Sequence, residues 1–364
     1  MKLLRPISIL VSWLMLTVSA TAQTPLLPPP GAPTPLAPAK PKEKPKEKPK
    51  PKPATKKPAA AATPKPAATP APTATVTPAP AFEDPGVDLV FGAYQRGQYK
   101  TAFDLATNRA EFNGDPKAMT MLGELYANAM GVKRDYAKAA DWYKRAADRG
   151  DREAMFALAM LRLAGRGGPV NREEAVKWLA SSAKLGNPKA AYNLALLYLD
   201  GQTLPQDLKR AAELLRVSAD AGNPEAQYAL ATFYKEGTGV EKDINKSVRL
   251  LQAASLAGNV DAEVEYAIAM YNGTGTLKNE AAAVALLRKA AKQNSPIAQN
   301  RLARVLTSGQ GATIDKVEAL KWHIVAKTAG KGDPALDEAL ADLSAEDRAR
   351  AQEAARKWIG NDKK

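Results

Sequence analysis

The sequence predicts an all-α fold, a solenoid of stacked helical hairpins, and three observations predict it. One pattern of 36 residues recurs six times between Asp115 and Gly330 without insertion or deletion, and a fixed period of that size marks a stacked repeat. Small and large apolar residues recur inside each period at helical spacing. Polar caps and glycines recur at fixed places around them, so the local signals agree on two helices and two turns per repeat.

The repeats run Asp115 to Gly150, Asp151 to Gly186, Asn187 to Gly222, Asn223 to Gly258, Asn259 to Asn294 and Ser295 to Gly330. Position 1 is Asp, Asn or Ser, and proline follows it at Pro116, Pro188, Pro224 and Pro296, which reads as an N-cap before the one helical site that tolerates proline. Helix A starts there. Its inward stripe is alanine at position 4 (Ala118, Ala154, Ala190, Ala226, Ala262, Ala298) and a large residue at position 8 (Leu122, Leu158, Leu194, Leu230, Tyr266, Leu302). Gly or Ala at position 9 lets a neighbouring helix approach closely.

Glycine at position 15, with Ala129 the exception, and often again at position 17, ends helix A and turns the chain through positive φ. Asp or Asn at position 21 (Asp135, Asn171, Asp207, Asp243, Asn279, Asp315) is the expected N-cap of helix B. A small residue at position 25 and a bulky one at position 28 (Trp142, Trp178, Leu214, Leu250, Leu286, Trp322) form its expected inner face, and Gly, or Asn294 once, closes the repeat.

The first repeat, AMTMLGELYANAMGVKRDYAKAADWYKRAADRG, resembles the consensus of the Sel-like (Sel-one-like) repeat family, a relative of the tetratricopeptide repeat. Residues 115–330 carry the resemblance; Tyr266, Thr203 and Thr276 depart from the usual pattern. It implies a right-handed α/α solenoid that serves as an adaptor or regulator in complexes, a non-enzymatic role.

The flanks differ from the repeats. Residues 1–22 read as a secretory signal peptide: Lys2 and Arg5, an apolar Ile7 to Val18 run, then Ala20-Thr21-Ala22 before Gln23. The expected location is therefore periplasmic, with no transmembrane segment after cleavage; an inner-membrane anchor through an uncleaved N-terminus is the alternative. The chain has no cysteine, so neither a lipoprotein anchor nor a disulfide is available. Residues 23–83 are a Pro/Ala/Lys-rich linker expected to be disordered with polyproline II character. Ten lysines against Glu43 and Glu47 give residues 23–81 +8 of the chain's +14, so the basic character belongs mainly to this tether. An exported chain meets little nucleic acid, and the expected contact, if any, is an anionic cell-wall polymer along residues 40–66. Residues 84–114 read as a divergent tetratricopeptide-like helix pair with a tight Arg96-Gly97-Gln98 turn, and residues 331–364 as capping helices opened by Asp333-Pro334 and Ser344.

Catalytic signals are sparse. His323 is the one histidine and has no companion Cys or His for a zinc site, which favours a packed or surface role. The Gly-x-Gly loops recur as turns without a strand or a Walker lysine. No cofactor, metal or catalytic residue is expected.

A second stripe on helix A stands out. The resemblance maps the concave groove of tetratricopeptide relatives onto positions 3, 6, 10, 13 and 14, which share a helical face. The candidate groove is Phe156, Met160, Tyr192, Leu196, Tyr228, Thr232, Lys235, Ile268, Tyr271 and Arg304, apolar in the middle repeats and polar at the ends. Such a strip suits a protein or peptide partner in the envelope. Two readings stand: an open docking strip, or side chains packed against the adjacent helix A, the latter favoured for Leu163 and Leu199. On the open reading, replacing Phe156, Tyr192 and Tyr228 by alanine leaves folding intact and abolishes capture. The alternative function is a cell-wall or polysaccharide binder held through the basic tether.

Overall fold

A computed structural model describes residues 88–361, and within them every regular element is a helix. The signal-peptide and tether expectations fall outside the described residues. The first pair is α1 (Leu89–Gln95) and α2 (Tyr99–Phe112), turned at Gly97 with φ 72°. Six hairpins follow: α3 (Pro116–Asn128) and α4 (Tyr136–Ala147); α5 (Arg152–Ala164) and α6 (Arg172–Lys184); α7 (Pro188–Asp200) and α8 (Leu208–Asp220); α9 (Pro224–Glu236) and α10 (Ile244–Leu256); α11 (Val260–Asn272) and α12 (Glu280–Lys292); α13 (Pro296–Ser308) and α14 (Lys316–Thr328). The short α15 (Pro334–Ala339) and α16 (Ala345–Asn361) close the stack. Each first helix packs on the second helix of its own hairpin, and that second helix packs in turn on the first helix of the next hairpin, which is the neighbour-to-neighbour contact of a solenoid.

The caps work as their chemistry requires. The position-1 side chains accept backbone N–H groups two or three residues on, from Asp115 with Lys117 at 2.8 Å to Ser295 with Ala298 at 3.4 Å. The position-21 side chains do the same for the second helices, as in Asp207 with Arg210 at 2.9 Å. In all six hairpins the N–H of this second cap also donates to a carbonyl in the last turn of the first helix, for instance Asp243 to Tyr234 at 2.8 Å. The loop is thereby pinned at both ends, and orphan backbone groups of two helix termini are satisfied together.

The position-17 glycines have a second reason to be glycine. A Cβ on Gly167 or Gly239 would sit 2.2 Å from the carbonyl oxygen of Tyr136 or Leu208, each at the start of the preceding hairpin's second helix. The loop of one repeat therefore rests on the backbone of the one before it.

The core follows the predicted stripes with one correction. Position 4 is buried throughout, and position 8 is buried except at Tyr266, which is half-buried. In the second helices, however, the deepest large residue stands at position 29, not 28: Tyr143, Leu179, Leu215, Leu251, Leu287 and His323 are all buried. Trp142 and Trp178 are only half-buried, with the Arg145 guanidinium 3.9 Å from the Trp142 ring centroid. On the flank of the inner face the Trp142 and Trp178 rings bury part of their bodies and still leave a face to a cation and to water, whereas Trp322 at the same position is buried.

Position 9 responds to position 29. Gly123 faces the Tyr143 ring, where an added Cβ would lie 2.5 Å from ring carbon. The other repeats pair alanine at position 9 with leucine or histidine at position 29.

Candidate functional site

The candidate site is the outward face of the first helices, α3, α5, α7, α9, α11 and α13. Positions 6 and 10 are separated by one turn, so they form two parallel rows along the stack. The structure divides the ten predicted groove residues into three groups.

Phe156, Tyr192 and Leu196 are buried, Leu196 being 1% exposed, so they are packing residues rather than an open docking strip. Leu199 is buried as the packed reading held, whereas Leu163 is half-buried. Met160, Tyr228, Thr232, Ile268 and Tyr271 are half-buried and face outward enough to be touched. Lys235 and Arg304 are exposed, yet each is engaged: Lys235 Nζ pairs with Glu265 at 2.8 Å, linking α9 to α11, and Arg304 Nε pairs with Asp333 at 2.5 Å.

The Asp333 contact explains the polar end of the strip. Its carboxylate accepts from Arg304 and, at 3.2 Å, from Asn300 Nδ2, while its other oxygen caps α15 through the Ala335 N–H at 3.2 Å. Burial opposes its ionisation, but the bonds from Arg304 and Asn300 outweigh that and hold its pKa below the ordinary carboxylate value. Positions 6 and 10 of the last repeat are thus spent on holding the C-terminal cap. Position 10 of the first repeat is likewise occupied: Glu124 is buried and accepts from Asn128 Nδ2 at 2.5 Å and Tyr143 Oη at 3.1 Å. Burial and the Glu124 charge together push the nearby Tyr94 hydroxyl up to about 12.

A recess of about 460 Å³ opens where α11, α12, α13 and α15 meet. Ile268, Leu287, Val305 and Leu336 give it apolar walls, and Tyr271 and Arg301 stand at its lining. Tyr271 Oη donates to Gln310 Oε1 at 2.7 Å.

Acidic residues that the sequence reading passed over line the middle of the face. Glu225 and Asp261 occupy position 3 of successive repeats, and Glu265 and Glu236 lie beside them. The Tyr228 hydroxyl is pushed up by burial first and then by the charges of Asp261, Glu265 and Glu236; that of Tyr192 by burial and then Glu225. Burial and Glu265 raise Asp261. Reading rows 3 and 7 across the repeats, rather than the apolar rows alone, would have exposed this charge.

His323 is buried on α14, its Nε2 2.8 Å from Asp337 Oδ1 on α15, which agrees with the packed role. Among the described residues no group of three or more His, Cys, Asp or Glu is placed to hold a metal ion, and no helix is long and apolar enough to cross a membrane.

The Sel1 repeat pattern matches residues 116–151, 152–187, 188–223, 224–259, 260–295 and 296–331, six consecutive units that together span more than half of the chain. The chain belongs to the Sel1 repeat family. A Sel1 repeat protein from Oxalobacter formigenes is similar at 26% identity, covering 65% of this chain and 94% of that one, with a TM-score of 0.56. A protective antigen present in uropathogenic Escherichia coli strains, displaying an SLR fold, is similar at 26% identity over 74% of this chain and 67% of its own, with a TM-score of 0.54. No curated protein matches. Sel1 repeat proteins generally act as protein–protein interaction scaffolds, and the fold is typically non-enzymatic.

Proposed function

We propose that this Sel1 repeat chain is an exported scaffold of the bacterial envelope, with a regulatory or assembly role, that holds a protein or peptide on the first-helix face of its middle repeats. The observation that carries the reading is the outward set of Met160, Tyr228, Thr232, Ile268 and Tyr271, half-buried and contributed by the second, fourth and fifth repeats, whereas the equivalent positions at both ends are spent on internal bonds. A surface of amphipathic and apolar side chains on rigid helices is suited to an extended segment, because its own ordering is completed by folding and costs nothing further on binding. Export rests on the charged start, apolar run and small-residue cleavage pattern of residues 1–22.

A second reading has its own observation, the +8 of the lysine-rich tether, which would engage an anionic cell-wall polymer through residues 40–66. The two are separated by capturing partners from the envelope with the full chain, with Thr232→Arg, and with residues 23–81 deleted, each at low and high salt. The scaffold reading expects capture that survives the deletion and added salt but falls with Thr232→Arg. Binding that disappears with the deletion and weakens steeply with ionic strength would support the polymer reading instead. Fractionation of the native host tests export: the protein recovered in the cytosol with residues 1–22 intact would overturn it.

A further inference from the structure

The recess where the fifth and sixth repeats meet the C-terminal cap has the make-up of a small-molecule site. Its volume, about 460 Å³, lies in the range of cavities that enclose a small organic ligand. Leu287, Val305 and Leu336 in its walls are buried and Ile268 is half-buried, so the inner surface is apolar and is held in place by core packing.

The recess is also bounded along the stack. Lys235 and Glu265, 2.8 Å apart, tie α9 to α11 on one side, and Arg304 and Asp333, 2.5 Å apart, tie α13 to the cap on the other. Between α11 and α13 no ion pair forms among the described residues, and the Tyr271 hydroxyl reaches instead to Gln310, in the loop after α13. The cap contributes α15, six residues against the thirteen of α13, so the far wall is only partly built. An extended chain laid along the first helices would have to cross both ties, whereas a small molecule fits between them.

Charge narrows the choice of ligand. The two arginines in the lining are not equivalent: Arg304 spends its Nε on Asp333, whose carboxylate balances its charge. Arg301 is exposed and makes no hydrogen bond or ion pair among the described residues, and no acidic residue lines the recess. One positive charge is therefore uncompensated, on a planar fork that suits a carboxylate held by two parallel hydrogen bonds. A cationic ligand would be repelled, and a sugar would set hydroxyls against Leu287 and Leu336 without partners. We infer that this recess binds a small amphiphilic monocarboxylate, its alkyl body against Ile268, Leu287, Val305 and Leu336 and its carboxylate on Arg301. The site shares Ile268 and Tyr271 with the docking face but does not depend on the scaffold reading, because its occupant is not a protein.

The test titrates the full chain by calorimetry at moderate salt with octanoate, octanol and octylammonium. Octanoate should bind saturably and about tenfold more tightly than octanol, with octylammonium the weakest. Hexanoate should bind about tenfold more weakly than octanoate, since two methylenes leave the apolar walls. Arg301→Gln breaks no internal bond, so it should bring octanoate down to the level of octanol while the thermal midpoint stays unchanged. Lys209→Gln, at an exposed cation on α8, should leave octanoate binding as it was. Bound octanoate should slow hydrogen exchange in α15, whose Leu336 it covers, and leave α3 and α4 unaffected. No saturable octanoate binding, equal binding of octanoate and octanol, undiminished binding in Arg301→Gln, or protection confined to other helices would each overturn the site. A leucine–glutamate peptide that binds through Arg301 where octanoate does not would also overturn it, and would make the recess part of the protein-docking face.

Discussion

The same two repeat positions serve opposite purposes in the middle and at the end of the stack. At positions 6 and 10, α9 and α11 present Tyr228, Thr232 and Ile268, half-buried and still partly open, whereas α13 presents Asn300 and Arg304, both bonded to Asp333 of the C-terminal cap. A solenoid must close its last hairpin, and here it does so with the residues that elsewhere would meet a partner. Polarity at the end of the strip is therefore a stability device, not a boundary drawn by a ligand.

The comparison is most strongly tested inside a single row. Leu196 and Thr232 both stand at position 10, but Leu196 is 1% exposed and Thr232 half-buried. Leu196→Ala should cost about 2–5 kcal/mol in denaturant unfolding, as for other fully buried leucines. Thr232→Ala should stay within about 0.5 kcal/mol, as surface changes do. Equal costs would mean the row is not divided as described. For the same reason the alanine triple variant of Phe156, Tyr192 and Tyr228 is a poor probe of binding: the first two are buried, and their loss would damage the core before it tested capture.

A smaller effect is expected at Gly123. Gly123→Ala should destabilise by about 1–3 kcal/mol through overpacking on the Tyr143 ring, and Tyr143→Leu in the same chain should recover part of it by restoring the alanine–leucine pairing of the other repeats. Additive costs would show that the ring is not the obstacle.

The cap end should carry its own pH dependence. Asp333 has a depressed pKa in the folded state, so its contribution is present above the unfolded carboxylate value and is lost as pH falls through the folded one. Asp333→Ala should remove the α15 cap and the Arg304 pair for about 1–2 kcal/mol, seen as faster hydrogen exchange over residues 334–361. The acid-induced loosening of that segment should disappear in the variant. Smallest of all, Ala129→Gly should stabilise by about 1 kcal/mol, since Ala129 holds φ 59° at the position where the other five repeats place glycine.

Caps, turns and the position-4 and position-8 stripes were legible because each depends on chemistry within one hairpin. Asp135 caps α4 and Gly165 ends α5 for reasons a dozen neighbouring residues contain. The depth of the groove rows was not legible in the same way. Exposure at Tyr192 or Tyr228 depends on side chains contributed by two adjacent repeats, so the period reveals the face but not how far each ring sinks. Arg304 was misread because its partner, Asp333, lies beyond the periodic region, where the repeat pattern no longer constrains the reading. The acids at Glu225 and Asp261 were visible but passed over, since apolar rows drew the search and charges on helices are usually solvated.

The most direct measurement places a photo-reactive residue at Thr232 on α9 or at Gln252 on α10, two positions of one hairpin on its first and second helices, and cross-links in native cells. The account predicts a cross-linked protein partner from Thr232 and none from Gln252. A partner captured from Gln252 with none from Thr232 would contradict it.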